Sequence, residues 1–163
     1  MFQYCRYRKK KKSDDQTEPR ERKPRKKPEK PDLVKRLDKV FALYIRLRDI
    51  MPNGMGRCIS CGKPKPYAQL DCGHYYSRVN MATRFDEDNC HAECQGCNRI
   101  KADHLIYYEE NLIRKIGVAR FQTLRERAKS TKKWDNDELE KMIKHYTAEV
   151  HRLSKLKDVK VNL

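Results

Sequence analysis

Two Cys-x-x-Cys pairs, Cys58-Ile59-Ser60-Cys61 and Cys94-Gln95-Gly96-Cys97, are separated by 32 residues and constrain the fold of this chain more than any other feature. Two sulfurs at that spacing can turn toward one cation. Two such knuckles complete a tetrahedral set of four soft donors, the coordination that Zn2+ prefers. A single pair could be a redox dithiol, whereas two pairs around a compact segment point to metal. Four thiolates leave no open position, so this Zn2+ is expected to hold structure and not to activate water. Of the seven cysteines, Cys5, Cys72 and Cys90 remain, and the last two are expected to be small buried packing residues. The opening "MFQYCRYRKK" lacks the apolar stretch of a signal peptide, and no run approaches the roughly 18 apolar residues of a spanning helix. A reducing cytoplasm, where thiols are kept for metal, is the expected location.

Charge narrows the choice of partner. Lys and Arg number 39 against 23 Asp and Glu, a net charge of +16, which suits a polyanion, and nucleic acid is the commonest. Residues 1–31 carry 13 basic and 5 acidic side chains, so their net charge of +8 is half of the excess. Their run "RERKPRKKPEKP" has no apolar residue and cannot offset the entropy of ordering, which predicts a disordered basic arm that binds phosphate non-specifically. Over residues 32–51, Leu33, Leu37, Val40, Phe41, Tyr44 and Leu47 recur at helical spacing behind Asp32 as N-cap. Residues 56–104 hold the cysteine pairs, and residues 105–163 read as helices. One ends at Gly117, a second runs through Phe121, Leu124 and Ala128, and the last opens on an Asp135–Glu138 capping box with Trp134 as staple. Leu139, Met142, Ile143, Tyr146, Val150 and Leu153 then form one apolar stripe, which can face the chain's own core or a second copy in a homodimer.

Between and just after the cysteine pairs lie the polar residues that suggest chemistry: Asp71, His74, Asn89, His91 and Asn98, the last directly following Cys97. A lone histidine in a small domain is usually structural. A His, an Asn and a carboxylate gathered by a metal staple are a more specific combination.

The pattern "GHY…N…CxxCN" resembles an HNH endonuclease of the ββα-metal type. The longer stretch "LDCGHYYSRVNMATRFDEDNCHAECQGCNRIKADHL" resembles the phage recombination endonuclease family called NinG or Rap, from about Arg57 to Gly117. The cysteine pairs around the motif are also similar to those of junction resolvases of the endonuclease VII type. The resemblance implies an α+β fold, with a small zinc-stapled ββα-metal core, flanking helices and the basic arm. It implies that His74 ends a strand as general base for attack of water on phosphorus, and a free imidazole titrating near 6.5 suits that task. Asn89 would fix the His74 tautomer through its side-chain carbonyl. Asn98 would ligate Mg2+ or Mn2+, which would stabilise the charge developing on the phosphate and the leaving oxygen.

One position departs from the common HNH pattern. Many members place an Asp or His directly before the base, where this chain has Gly73. Asp71 shares the face of Gly73 in a regular strand and is the expected substitute ligand, with His91 a weaker one. Arg78, Arg84, Arg99 and Lys101 are expected to contact backbone phosphates, which carry no base information, so the preference should be for DNA structure. The expected activity is metal-dependent cleavage of branched or single-strand-containing recombination intermediates, such as four-way (Holliday) junctions, near the nucleoid of a bacterial host. The alternative is a non-catalytic zinc-ribbon module that binds nucleic acid through the same charges.

Overall fold

The computed structural model describes residues 32–162; the expected basic arm over residues 1–31, with Cys5, lies outside the described residues. The Asp32 carboxylate accepts from the backbone N–H groups of Val34 (3.1 Å) and Lys35 (3.3 Å) and so caps α1 (Leu33–Arg48). Two antiparallel pairs follow, β1 (Met55–Arg57) with β2 (Pro64–Pro66) and β3 (Leu70–His74) with β4 (Cys90–Cys94). The short helix α2 (Gln95–Ile100) continues directly from β4. Then come α3 (His104–Ile116), α4 (Val118–Lys129) and α5 (Asn136–Lys157), which makes the described chain α+β. Among the described residues no helix is long and apolar enough to cross a membrane.

Local chemistry sets the helix ends. Helix α3 stops at Gly117, whose φ of 83° lies where a side chain would be strained. Helix α5 begins in the anticipated box. Asp135 Oδ1 accepts from the Glu138 N–H at 2.7 Å, and Glu138 Oε2 accepts from the Asp135 N–H at 3.0 Å. Trp134, just before this box, packs edge-on against Phe85 and donates its indole N–H to the Met81 carbonyl.

The α5 stripe is buried within the chain. Leu139, Ile143, Tyr146, Val150 and Leu153 share one core with Leu37, Phe41, Tyr44 and Ile45 of α1, and Phe41 meets Tyr146 edge-to-face at 4.9 Å. The same core takes in Leu70 and Cys72 of β3, Cys90 and Ala92 of β4, and Phe85 from the loop between those strands. Helices that the sequence places outside residues 56–104 are therefore packed directly on the hairpin. A second, smaller cluster joins Ile59 near the first cysteine pair to Tyr108, Leu112, Phe121 and Leu124. The Tyr108 hydroxyl, fully buried, donates to the Gly73 carbonyl (3.0 Å) and lies 3.2 Å from that of Asn89, tying α3 to the end of β3.

At the C-terminal end of α1 lies a buried ion cluster. Arg48 pairs with Asp49 at 2.9 Å and donates to the Cys90 carbonyl at 2.8 Å; Lys115 Nζ also reaches Asp49, at 3.2 Å. Asp49 Oδ2 accepts from the Ala92 N–H at 2.8 Å, so the cluster fastens β4 to α1. Burial alone would raise the Asp49 carboxyl, but the neighbouring His91, hydrogen bonds from Arg48 and the charges of Arg48 and Lys115 hold it well below the usual carboxylate range. A depressed carboxyl contributes stability above its unfolded pKa, and that contribution drains away as pH falls toward the folded value. Urea unfolding should thus show stability falling steadily below about pH 4. The Asp49→Asn variant should lose this part of the acid dependence and be destabilised by about 3 kcal/mol at neutral pH, because two cations lose their buried anion.

Candidate metal-binding and catalytic cleft

The four paired cysteines converge from two places. Cys58 and Cys61 lie on the turn after β1, Cys94 ends β4, and Cys97 sits in α2. Their sulfurs all lie within 4.8 Å of one another, with Cys61 Sγ and Cys94 Sγ 3.9 Å apart. Four sulfurs about 2.3 Å from a tetrahedral Zn2+ stand roughly 3.8 Å from each other, whereas a disulfide would draw two of them to about 2.05 Å. Backbone N–H groups of Cys61 (3.5 Å) and Cys94 (3.3 Å) point at Cys58 Sγ, as they would to support a thiolate. Burial pushes the Cys58 thiol up to about 11, so a cation is what would make its thiolate favourable at neutral pH. These residues could hold one metal ion such as zinc.

His74 closes β3, its ring mostly buried at the edge of a cleft of about 380 Å3. Its Nε2 lies 3.1 Å from the Arg84 carbonyl and its Nδ1 3.3 Å from the Cys72 carbonyl. A neutral imidazole has a single N–H; assigned to Nε2, on the shorter contact, it would leave a lone pair on Nδ1 facing the Cys72 carbonyl. Burial lowers the His74 pKa and outweighs the hydrogen bond to Arg84, so the ring is neutral at neutral pH. Asn89 does not touch this ring, contrary to the sequence-based expectation. Its Oδ1 accepts from the Tyr76 N–H (2.7 Å), and its Nδ2 donates to the carbonyls of Tyr76 and Thr83 (both 2.9 Å). This amide is fully buried and thereby fixes the loop that carries the Arg84 carbonyl to His74.

Across the cleft lie Asp71 and Asn98, 27 residues apart in sequence but joined by an Asn98 Nδ2 to Asp71 Oδ2 hydrogen bond of 3.1 Å. Arg99 forks onto the same carboxylate, with Nε to Oδ2 at 2.7 Å and Nη2 to Oδ1 at 2.8 Å. Burial works against ionisation of Asp71, but Arg99 and Asn98 prevail and lower its pKa. Asp38, Arg46 and Arg78 complete much of the rim, so basic side chains surround His74, Asp71 and Asn98.

Other anticipated residues have different positions. His91 is buried in the ion cluster, its Nδ1 2.8 Å from Arg48 Nη2 and 3.4 Å from Asp49 Oδ2, away from the cleft, so it supports packing and not the Asp71–Asn98 site. Arg84 is held by Asp38 through contacts of 2.9 and 2.6 Å, and its Nη1 donates to the Arg78 carbonyl. Its guanidinium is thus engaged in braces that a phosphate would have to displace. Lys101 is exposed just past α2, and Arg99 is exposed while paired with Asp71.

Two features are not evident from the sequence. Glu93 is fully buried beside Gly73, and His104 holds it at 2.8 Å. Cys72 and Cys90, buried as expected, also bring their sulfurs within 4.8 Å of a His74 ring nitrogen. The signal for Glu93 was available only through register, since Asp71 pairs with Glu93 and Gly73 with His91 across the two strands.

If a metal ion occupies the cysteine cluster, its removal should loosen the hairpin and α2 while leaving the α1–α5 pair helical. Chelation is therefore expected to release about one equivalent of zinc and to raise hydrogen exchange over residues 58–61 and 90–100, with far-ultraviolet circular dichroism largely retained. Cys97→Ser should behave like the chelated protein.

Comparison with known proteins places the chain. A family model described as Bacteriophage Lambda NinG protein matches residues 3–157. The chain is 39% identical over 88 residues to Protein ninG of Salmonella phage P22, an alignment covering 53% of this chain and 40% of that protein. It is 38% identical over 86 residues to Protein ninG of Escherichia phage 933W, covering 52% and 40%. For Protein ninG of Escherichia phage lambda the figures are 37% over 86 residues, 52% and 39%. The matched segment thus spans about two-fifths of the length of these relatives. No solved structure matches. With its family model covering nearly the whole sequence, the chain belongs to the NinG family of bacteriophage proteins.

Proposed function

We propose that this protein is a metal-dependent DNA endonuclease of the HNH type, with Zn2+ at the four cysteines as a structural ion and Mg2+ or Mn2+ in the cleft. The observation that carries the reading is His74 at the end of β3, held by the Arg84 carbonyl, in one cleft with Asn98 of the following helix. The HNH resemblance, which implies a hairpin followed by a helix, supports this reading. A divalent cation bound there would supply Lewis-acid stabilisation of charge on phosphate and on the leaving oxygen.

The chain's own residues supply the rest. His74 Nδ1 takes the proton of a water aligned with the scissile phosphate, and the Arg84 carbonyl holds the ring in the tautomer that can do so. Asn89 acts one step back, by keeping the loop closed. Asn98 offers a hard amide oxygen and Asp71 a carboxylate beside it. Arg46, Arg78 and Arg99 line the cleft and are suited to phosphate contacts; with few base contacts implied, the substrate is chosen by shape, as branched recombination intermediates would be. Branched DNA in the infected bacterial host would be the corresponding substrate, and the nucleoid the corresponding place of action.

A second reading, a non-catalytic zinc-ribbon module that binds nucleic acid, is favoured by one observation. Arg99 already occupies both oxygens of Asp71. The two readings separate in a cleavage assay over a panel of branched and linear DNAs with Mg2+ and Mn2+. His74→Ala should lower cleavage of the preferred branched substrate by at least about a hundredfold while leaving its binding unchanged; cleavage that survives the change removes the nuclease assignment. Binding itself should be strongly salt-dependent. With about six phosphates neutralised, affinity should fall on the order of a thousandfold between 50 and 200 mM salt. Deleting residues 1–31, which carry half of the excess charge, should weaken binding more than it moves the cleavage position.

A further inference from the structure

Gly73 occupies the position where the HNH pattern expects a metal-binding side chain, and the space beside it is filled. A Cβ built on Gly73 would fall 2.8 Å from Glu93 Cβ and closer still to Glu93 Oε2. The carboxylate of Glu93 therefore lies where a side chain at position 73 would begin, delivered from the neighbouring strand. Glu93 has no exposed surface, yet only one of its oxygens is satisfied. Its Oε1 accepts from Ser60 Oγ at 2.5 Å and lies 2.8 Å from His104 Nδ1; its Oε2 has no hydrogen-bond partner among the described residues. A buried carboxylate held rigidly by one oxygen with the other left bare is costly unless a cation completes it.

Other polar groups adjoin this carboxylate. His104, which touches Glu93, also lines a cleft with His74 and Asn98. Asn98 spends its Nδ2 on Asp71, which leaves the hard Oδ1 atom available. Asp71, the nearer carboxylate by sequence pattern, is instead forked by Arg99 through both of its oxygens. Ser60 lies between Cys58 and Cys61, so the cysteine cluster itself sets the orientation of Glu93.

Building on the nuclease reading, we propose that Glu93 is the carboxylate ligand of the catalytic divalent cation, taking over across the β3–β4 pair the role that Gly73 lacks. Glu93 Oε2 and Asn98 Oδ1 are the protein donors, and Ser60 and His104 are positioning residues that fix Oε1 so that Oε2 stays turned to the metal. Asp71 then serves mainly as the anchor that holds Arg99 and Asn98 in place.

The test measures metal binding directly. The full chain, loaded with zinc at the cysteines, is titrated with Mn2+ and followed by electron paramagnetic resonance, with zinc content confirming that each variant is folded. Glu93→Gln keeps the size of the side chain and should weaken Mn2+ binding by at least about tenfold. In the unaltered protein, bound Mn2+ should broaden the Gly73 amide and Asn98 side-chain NMR signals before those of Arg99; this measurement needs no variant to fold. Unchanged Mn2+ affinity in Glu93→Gln, or broadening centred on Asp71 and Arg99, overturns the proposal, as does the absence of any Mn2+ site in the zinc-loaded protein. If Mn2+ binds with the predicted dependence on Glu93 and no DNA is cut, the cation site stands and the nuclease reading alone falls.

Discussion

The antiparallel register of β3 with β4 is the constraint on which the rest of this protein depends. Leu70 opposes Cys94, Asp71 opposes Glu93, and His74 opposes Cys90. That single alignment turns Leu70, Cys72, Cys90 and Ala92 into the α1–α5 core, and leaves Asp71, Gly73, His91 and Glu93 on the other face. A slip of one residue would exchange the two faces, placing a histidine and a glutamate among aromatic side chains and carrying Cys94 away from its three partners. The hairpin has only five residues per strand, too little to fix its own register, and it is held from outside. Asp49 and Arg48 bind backbone groups of β4, the Tyr108 hydroxyl spans the ends of both strands, and Cys94 belongs to the sulfur cluster.

Functional groups in the cleft are fixed by neighbours that are themselves fixed. The ring of His74 is oriented by a backbone carbonyl, that carbonyl by a loop, and the loop by the three hydrogen bonds of Asn89 and the insertion of Phe85 between Phe41 and Trp134. On the outside of the same loop, Asp88 is paired with Arg120 and Arg127 of α4. Such layered support is what the proposed role of His74 as a base would require, since small displacements of a reacting group are expensive in rate. It also explains why so many charged side chains lie around one small hairpin and why several of them face each other instead of a ligand.

What could be read from the sequence was whatever is local. The Asp32 cap, the Asp135–Glu138 box, the Gly117 stop and the α5 stripe each depend on residues within a few positions, and each appears as expected. The four cysteines were legible because a spacing encodes their geometry. What could not be read was the identity of partners distant in the chain. Arg84 looked like a phosphate contact because its charge is visible and Asp38, 46 residues earlier, is not an evident partner. His91 looked like a second ligand for the same reason, and only the fold shows it against Arg48 and Asp49. Asn89 was placed in the right neighbourhood with the wrong contact, since an amide can serve a backbone as readily as a ring.

The pairing of α1 with α5 has a consequence for how the chain is made. Lys157, at the end of α5, donates to the carbonyls of Leu47 and Arg48, which the last turn of α1 leaves without helical partners, and to that of Ile50 just beyond. The first and last described helices thus complete each other across more than a hundred residues of chain. During synthesis the cysteine knuckles and the hairpin emerge long before residue 157, yet the helix that roofs the cleft cannot be secured until α5 has left the ribosome. A nascent chain would expose its cysteine-rich hairpin first and acquire an ordered cleft only when translation has passed α5.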